Sequence, residues 1–314
     1  MGKYLCKRLL QTVLIVFLVS FLTFILLNLM PKDPVTALYG TELSEEEYQT
    51  YFHALGLDKP ILYRYGDWLV KALQGDFGVS YAYHIKVTEV VGSKIGTTIY
   101  LSVVSMLISV PLGILMGIIT AVKRGKWQDT VLTLLANTLQ SIPPFVISIV
   151  LLWIFAIKLR VLPAGGFVFP WENFRQYCKE SLMPIACLSL GGIAGTCRQT
   201  RSAMLEAIRQ DYVRTARSKG FREKRIIVKH VLRNGLIPVI TMIGHRLAHM
   251  IGGSVFVENV FAIPGMGKLM VDSVNRVDIP VLQMCVMLSA ACVCIAYLIT
   301  DILYAVVDPR IKIK

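Results

Sequence analysis

Residues 96–122 read GTTIYLSVVSMLISVPLGILMGIITAV, a run of 27 side chains without one formal charge. A second uncharged run extends from residue 130 to residue 157, and the basic turn KRGK at 123–126 lies between the two. Because a helix crosses the hydrocarbon core of a bilayer with about 20 apolar residues, each run is long enough to span a membrane. The pair predicts two antiparallel membrane helices, and with them an all-α, polytopic membrane protein.

Four further apolar segments bring the prediction to six membrane spans. They are residues 9–30, 181–197, 236–257 and 279–300. The first is too long for the apolar core of a secretory signal peptide, about 7 to 15 residues, so we expect a retained first helix. The fifth contains Arg246 and two histidines, and we expect it to face protein or water and not lipid.

The composition of the whole chain agrees with this prediction. Of its 314 residues, 55% are hydrophobic and 17% are charged, the mean hydropathy is +0.60, and the formal net charge is +13. An ordinary cytosolic enzyme is excluded by such a balance. The seven cysteines include no CxxC pair, which excludes a disulfide framework or a structural zinc site.

The distribution of basic residues predicts that both termini are cytoplasmic. With the amino terminus inside, the internal segments contain 20 basic and 5 acidic residues, and the external segments contain 12 basic and 13 acidic residues. The positive-inside rule favours this orientation. The internal segments are 1–9, 122–129, 198–233 and 308–314, and the external ones are 31–96, 158–183 and 259–280.

The external loop that follows the first span is too long for a simple connection. Apolar side chains recur at helical spacing through residues 63–74, and Gly75 ends the pattern. We expect a folded cap packed on the outer face of the helices, with direct contact to a substrate as the alternative. The apolar residues of this pattern are Leu62, Tyr65, Leu69, Ala72 and Leu73.

The cytoplasmic segment 198–233, between spans four and five, is the second long loop. Its sequence predicts two helical stretches broken at Gly220, which acts either as a joint or as a plain helix terminus. After the break, apolar residues stand among basic ones, a pattern typical of a short amphipathic helix displayed in the cytosol; the four apolar residues are Phe221, Ile226, Ile227 and Val231. Spacing alone leaves open whether that helix meets an anionic lipid surface or a partner protein.

Several motifs resemble the permease subunits of binding-protein-dependent, ATP-driven (ABC) importers, in their oligopeptide, dipeptide and nickel branch. The resemblance covers essentially the whole chain. Its motifs are LGLDKP at 55–60, GDFGVS at 75–80, DYVRTARSKG at 211–220, HVLRN at 230–234, GGSVFVE at 252–258, FAIPGMG at 261–267 and DPR at 308–310. One departure is that the wider superfamily begins the loop motif with Glu-Ala-Ala, where this chain has Arg214, Thr215 and Ala216.

The resemblance implies a non-catalytic transport subunit that forms half of a translocation pathway. No GxxxxGK[ST] phosphate loop occurs in the sequence, so ATP and magnesium would be bound by two cytosolic ATPase subunits and no cofactor by this chain. The other implied partners are a homologous second permease, an external or periplasmic binding protein and membrane lipid, with no nucleic acid. The residues implied in coupling to the ATPase are Arg214, Thr215, Ala216, Lys219, Gly220, Phe221, Ile226, Ile227 and Val231.

The domain organisation that follows has four parts. Residues 1–30 form the cytoplasmic end and the first span, 31–95 the external domain, 96–307 the permease core with its coupling loop at 198–233, and 308–314 a cytoplasmic tail. The location implied by the family is the cytoplasmic, or inner, cell membrane.

Ionisable residues near the fifth span are candidates for the translocation path. His245 and His249 are four residues apart and share one helix face beside Arg246, and Glu258 follows further along. The histidines are metal ligands only if the substrate is nickel, since two imidazoles are half a site. We expect peptide import, with nickel or nickel-chelate import as the alternative. Remoter alternatives are a secondary transporter and a membrane scaffold subunit.

Overall fold

The computed structural model describes residues 2–29, 33–40, 42–236, 239, 242, 246, 252 and 254–307. Helices make up 78% of the structure, and the described residues contain no β-strand. The expected all-α architecture is confirmed.

The described residues contain thirteen α-helices that are numbered in chain order, and two π-helical segments continue α7 and α10. Residues 254–260 are also helical. The helices are α1 (Gly2–Asn28), α2 (Pro34–Tyr39), α3 (Glu45–Ala54), α4 (Ile61–Leu73), α5 (Val87–Val122), α6 (Trp127–Ser141), α7 (Pro144–Leu151), α8 (Phe174–Ile208), α9 (Asp211–Ser218), α10 (Glu223–Ile226), α11 (Leu232–Gly235) and α12 (Met266–Asn275), followed by the long final helix α13 (Ile279–Val307). The π-helical segments are Leu152–Lys158 and Ile227–Val231.

Helix α13 is the last helix of the described residues. Four helical stretches are long and apolar enough to cross a membrane: Cys6–Asn28, Val87–Val122, Phe174–Ile208 and Ile279–Ile302. The bent pair Trp127–Ser141 and Pro144–Lys158 brings the number to five if it is counted as one span. Most of the predicted fifth span, 236–257, lies outside the described residues, so the count of six stays a prediction.

The predicted span 130–157 is broken in the middle. Helices α6 and α7 meet at an angle of 101°. Ile142 between them is extended, and α7 begins at Pro144 directly after Pro143. Proline disfavours a helical conformation in the residue before it and lacks the N–H that a continuous helix would need, so the two prolines account for the break.

The chain divides into two compact units. The first comprises residues 2–98 and 264–292, and the second comprises residues 99–263 and 293 onward. The predicted external domain 31–95 belongs to the first unit and contains three helices, α2, α3 and α4.

Helix α4 packs on α1 in the first unit. Its expected position at 63–74 agrees with the observed Ile61–Leu73, and Gly75 just after it has a φ of 85°. Tyr65 is the buried residue of α4; its ring makes edge contacts with three phenylalanines of α1, and its hydroxyl lies 2.8 Å from Ser20 Oγ. Leu62 and Leu73 are exposed, so the helix is anchored mainly through aromatic contacts.

A buried aspartate fixes the loop that follows α4 in the same unit. Asp278 is completely buried at the amino end of α13 and accepts a hydrogen bond from Ser80 Oγ. It also accepts backbone N–H bonds from Tyr81 and Ala82, both at 3.1 Å. A buried carboxylate is stable only when its oxygens are satisfied, and here the loop 80–82 supplies the donors.

Helices α5 and α8 pack closely in the second unit because small residues face each other. A Cβ atom on Gly113 would meet the Thr196 side chain, and one on Gly117 would meet Thr200, both well inside contact distance. The glycines are four residues apart, as are the threonines. This is the small-residue packing that membrane helices use to approach each other.

Candidate functional site: the cytoplasmic segment

The predicted coupling loop 198–233 begins as part of a membrane helix. Helix α8 continues through residues 198–208, and the chain turns at Arg209 and Gln210 before α9. Helix α9 ends at Ser218, and Gly220 has a φ of 76°. The Phe221 N–H donates to Ala216 O at 3.3 Å. The predicted break at Gly220 is confirmed, and its left-handed backbone explains why glycine stands there.

The chain beyond Gly220 folds back onto its own unit. Ile226 and Val231 have no exposed surface, and they belong to one apolar cluster with Met204 of α8 and Val213 of α9. We call this the cytoplasmic cluster; its remaining buried members are Ala121, Ala207 and Ala216.

The expectation that all four apolar residues of this stretch are displayed is therefore wrong for two of them. Ile226, at the end of α10, and Val231, at the end of the π-helical segment, both pack inside the cytoplasmic cluster with residues of α8 and α9. Phe221 is 38% exposed and Val228 is 58% exposed, while Ile227 is partly buried. Val228 was not among the residues selected from the sequence.

The remaining coupling residues lie mostly on the surface. Ala216 is buried, and the exposed ones are Arg214, Thr215, Lys219 and Gly220.

Two basic side chains lie near the Phe221 ring. The Arg225 guanidinium carbon lies 5.0 Å from its ring centroid, and the His230 ring centroid lies 6.2 Å away at an interplanar angle of 21°. Stacking of this kind orients an exposed aromatic ring.

An ion pair bridges the turn at Gly220. Arg217 Nη2 lies 2.6 Å from Glu223 Oε1, and Arg217 Nε lies 3.2 Å from Oε2. Hydrogen bonding to Arg217 lowers the pKa of Glu223 below its ordinary value. The bidentate geometry connects α9 to α10 across the glycine.

A second ion pair fixes α8 to the start of α6, and sequence reasoning did not identify it. Arg201 Nε and Nη2 donate to the two carboxylate oxygens of Asp129 at 2.9 and 3.0 Å. Gly125 N–H and Thr133 Oγ1 also donate to that carboxylate, each at 3.1 Å. The available signal was that Asp129 is the acidic residue beside the basic turn 123–126.

The candidates for the translocation path are only partly described. His245 and His249 lie outside the described residues. The Arg246 guanidinium donates to Gly192 O of α8 at 2.5 Å, and a Cβ atom on Gly195 would meet it. Glu258 is completely buried. The role of these residues in a path stays a prediction. In the described part of the chain, no three His, Cys, Asp or Glu side chains lie close enough to share a metal ion.

Comparisons with known proteins identify the class. Residues 113–313 match the family described as "Binding-protein-dependent transport system inner membrane component", and residues 1–102 match the amino-terminal model of such membrane components. The chain belongs to this family: it is a permease subunit of the binding-protein-dependent ABC importers, in their peptide branch. The homologues are transport permeases, and the family and the apolar helices make this a multi-pass membrane protein.

The similarity to individual relatives extends over their full length. The chain is 37% identical to a protein of Brucella ovis named as a peptide permease, over 100% of both chains. It is 35% identical, again over 100% of both, to the glutathione transport system permease protein GsiC of Escherichia coli strain K12. A protein of Sinorhizobium fredii named as a peptide ABC transporter permease is 34% identical over 99% of this chain and 100% of its own.

A solved structure shares the fold. A chain of the MetNI methionine ABC transporter, in inward-facing conformations, matches with a TM-score of 0.56 at 16% identity. The match covers 70% of this chain and 97% of that chain.

Proposed function

We propose that this chain forms half of the translocation pathway of an ATP-driven importer for di- and oligopeptides. The observation that carries the proposal is the full-length similarity to permeases named for peptides and for glutathione, itself a tripeptide. An external binding protein delivers the peptide, and the complex resides in the cytoplasmic, or inner, membrane. This chain contributes no covalent chemistry.

The partner subunits follow from the same proposal. A homologous second permease completes the pathway, and two cytosolic ATPases bind ATP and magnesium. One ATPase docks on the cytoplasmic segment 211–235, where Phe221 and Val228 present exposed apolar surface among basic side chains. An apolar contact surrounded by charges is a common mode of helix recognition in a groove.

Force from the ATPase reaches the membrane helices through buried contacts. Ile226 and Val231 of the docking segment share the cytoplasmic cluster with Met204 of α8. Because packed interiors transmit displacement, a shift of the segment moves the end of α8 with it. The buried residues of the segment thus anchor it to α8, and its exposed residues contact the ATPase.

The docking step is tested by a matched pair of aspartate variants. Val228→Asp places a charge on the exposed docking surface, whereas Val161→Asp places the same charge on a residue of equal exposure, 59% against 58%, in a predicted external segment. We expect Val228→Asp to reduce co-purification of the ATPase subunits at least fivefold and Val161→Asp to leave it unchanged. Equal co-purification of both variants would contradict the docking proposal.

The substrate is tested by uptake in cells with and without the gene. We expect gene-dependent accumulation of radiolabelled di- and tripeptides, its loss in Val228→Asp cells, and no gene-dependent accumulation of ⁶³Ni²⁺. Nickel uptake that excess peptide fails to block would favour the nickel alternative. Uptake that persists after ATP depletion would favour a secondary transporter, and partner binding without any uptake would favour a scaffold subunit.

A further inference from the structure

The first unit contains a cavity of about 500 Å³ that opens to the surface beside the carboxyl end of α1. It shares no residue with the cytoplasmic segment or with the candidates for the translocation path. Its wall includes aromatic and basic side chains, and its volume suits a small ligand or a headgroup. The side chains that matter here are Phe24, Lys59, Tyr63, Arg64, Trp68 and Lys71.

The Arg64 guanidinium lines this cavity, and no described residue accepts a hydrogen bond from it. It is half-buried and lies 5.9 Å from the Phe24 ring centroid. Burial is the main influence on its pKa and lowers it. A guanidinium carries five donors in a planar fork, so a half-buried one in a cavity favours an anionic ligand with two oxygens.

The other charged side chains of the wall are partly engaged by their neighbours. Lys71 Nζ lies 2.8 Å from Asp67 Oδ2 on the same helix, and Asp76 accepts the Gly78 N–H at 2.9 Å. Lys59 Nζ lies 5.2 Å above the Tyr63 ring. The wall carries the basic side chains of Lys59, Arg64 and Lys71 against the carboxylates of Asp67 and Asp76, a formal excess of one positive charge, and Asp58 also acts on Arg64.

The position of the cavity relative to the membrane helices indicates the source of the anion. Phe24 and Asn28, at the end of the apolar stretch of α1, line the cavity, as does Ile279 at the start of the apolar stretch of α13. Gln283 Nε2 donates to Ser20 O at 2.7 Å, which connects α13 to α1.

Two apolar stretches that end at one level mark the boundary of the hydrocarbon core, where phosphate groups lie and aromatic side chains are enriched. Leucines at this end of α1 are also exposed: Leu22 by 56%, Leu26 by 65% and Leu29 by 69%. They provide apolar surface for acyl chains.

We propose that this cavity binds the phosphate group of a membrane phospholipid, with Arg64 as its ligand and the acyl chains along the exposed leucines of α1. Arginine recognises phosphate through two parallel N–H bonds. On the predicted topology the lipid belongs to the outer leaflet. A peptide carboxylate or free phosphate offers similar chemistry, but the hydrocarbon boundary favours the lipid.

The experiment measures lipid binding to the full-length permease, co-expressed with its partners and purified in detergent. Phosphatidylglycerol is titrated and bound lipid is counted by native mass spectrometry, with inorganic phosphate and a dipeptide as competitors in separate arms. We expect Arg64→Gln to weaken the tightest lipid site at least about tenfold, as loss of a charged hydrogen-bonding partner does. Lys94→Gln removes the same charge from the same unit at a residue that does not line the cavity, so it should bind within about twofold of the unchanged protein.

Three results would overturn the proposal. One is equal lipid affinity in the unchanged protein and in Arg64→Gln. Another is displacement of the lipid by inorganic phosphate at the lipid's own concentration, which would indicate a small-anion site. The third is displacement by the dipeptide, which would indicate a substrate site. If Arg64→Gln cannot be purified, Arg64→Lys keeps the charge without the fork and should bind at intermediate strength; affinity equal to that of the unchanged protein would refute bidentate phosphate binding.

Discussion

Replacing Asp129 by asparagine should destabilise the cytoplasmic end of the second unit. The Asp129 carboxylate accepts four hydrogen bonds, two of them from Arg201 at 2.9 and 3.0 Å. The Asp129 side chain is 9% exposed and that of Arg201 is 28% exposed. Asparagine removes the charge, turns one acceptor into a donor that faces the guanidinium, and leaves a partly buried cation without its counter-ion.

The magnitude follows from this burial. Removing one partner of a fully buried ion pair costs about 3 to 5 kcal/mol, and an exposed pair contributes about 0 to 1 kcal/mol. Because Arg201 keeps some contact with solvent, we expect a loss of about 2 kcal/mol, between those limits. For a chain of this size that corresponds to a fall in apparent melting temperature of roughly 3 °C.

The assay is thermal loss of the monodisperse peak in size-exclusion chromatography, for the detergent-solubilised permease. Asp211→Asn is the matched control, since Asp211 forms an ion pair with Arg214 at 3.8 Å in which the side chains are 97% and 78% exposed. We expect no measurable shift for it. Equal melting of Asp129→Asn and the unchanged protein, or equal loss in both variants, would refute the reasoning. Arg201→Gln added to Asp129→Asn should cost less than the sum of the single changes.

Three further predictions concern helix packing, a buried loop and pH. Gly117→Ala should lower stability by about 1 to 3 kcal/mol by overpacking, whereas Gly191→Ala, where an added Cβ meets nothing within 4 Å, should not; thermal melting of both variants checks this. Asp278→Asn should cost about 1 to 3 kcal/mol by leaving buried backbone donors unsatisfied, detected as faster proteolysis at residues 80–84. Arg217 lowers the pKa of Glu223, so the ion pair stabilises the fold at pH values above the unfolded pKa of the carboxylate. That stability is lost as the pH falls through the folded pKa. Hydrogen exchange of residues 211–235, corrected for intrinsic rates, should therefore accelerate below about pH 4.5 in the unchanged protein and should show no such step in Glu223→Gln.

The sequence predicted the apolar helices from the length of uncharged runs, and it predicted helix ends from the residues that terminate them. Uncharged runs identified the helices because a membrane leaves few other ways to satisfy a backbone. Glycine located the ends of α4 and α9, since Gly75 and Gly220 both adopt positive φ. The adjacent Pro143 and Pro144 also indicate the 101° break between α6 and α7, but the prediction from hydropathy alone treated residues 130–157 as one span.

The sequence located the candidate site along the chain but did not predict which of its side chains are buried and which are exposed. The pattern of residues 221–231 predicts an amphipathic helix, but the helical repeat changes at Ile227, where α10 passes into a π-helical segment, and Ile226 and Val231 are buried on either side of that change. A sequence pattern cannot assign faces where the helical repeat changes. The partnership of Asp129 and Arg201 was out of reach for a different reason: 72 residues separate them, and only the packing of α6 on α8 brings them together.

The turn at Gly220 is better understood as a rigid corner than as a joint. A joint requires the two sides of the glycine to move independently, but Ile226 after the turn packs in the same buried cluster as Val213 before it. The Arg217–Glu223 pair closes the same corner from the solvent side. Bending at Gly220 would have to open both contacts. Under the proposed function, the segment from α9 to α11 therefore moves as one body with the end of α8, and the change of shape during transport falls within the membrane helices.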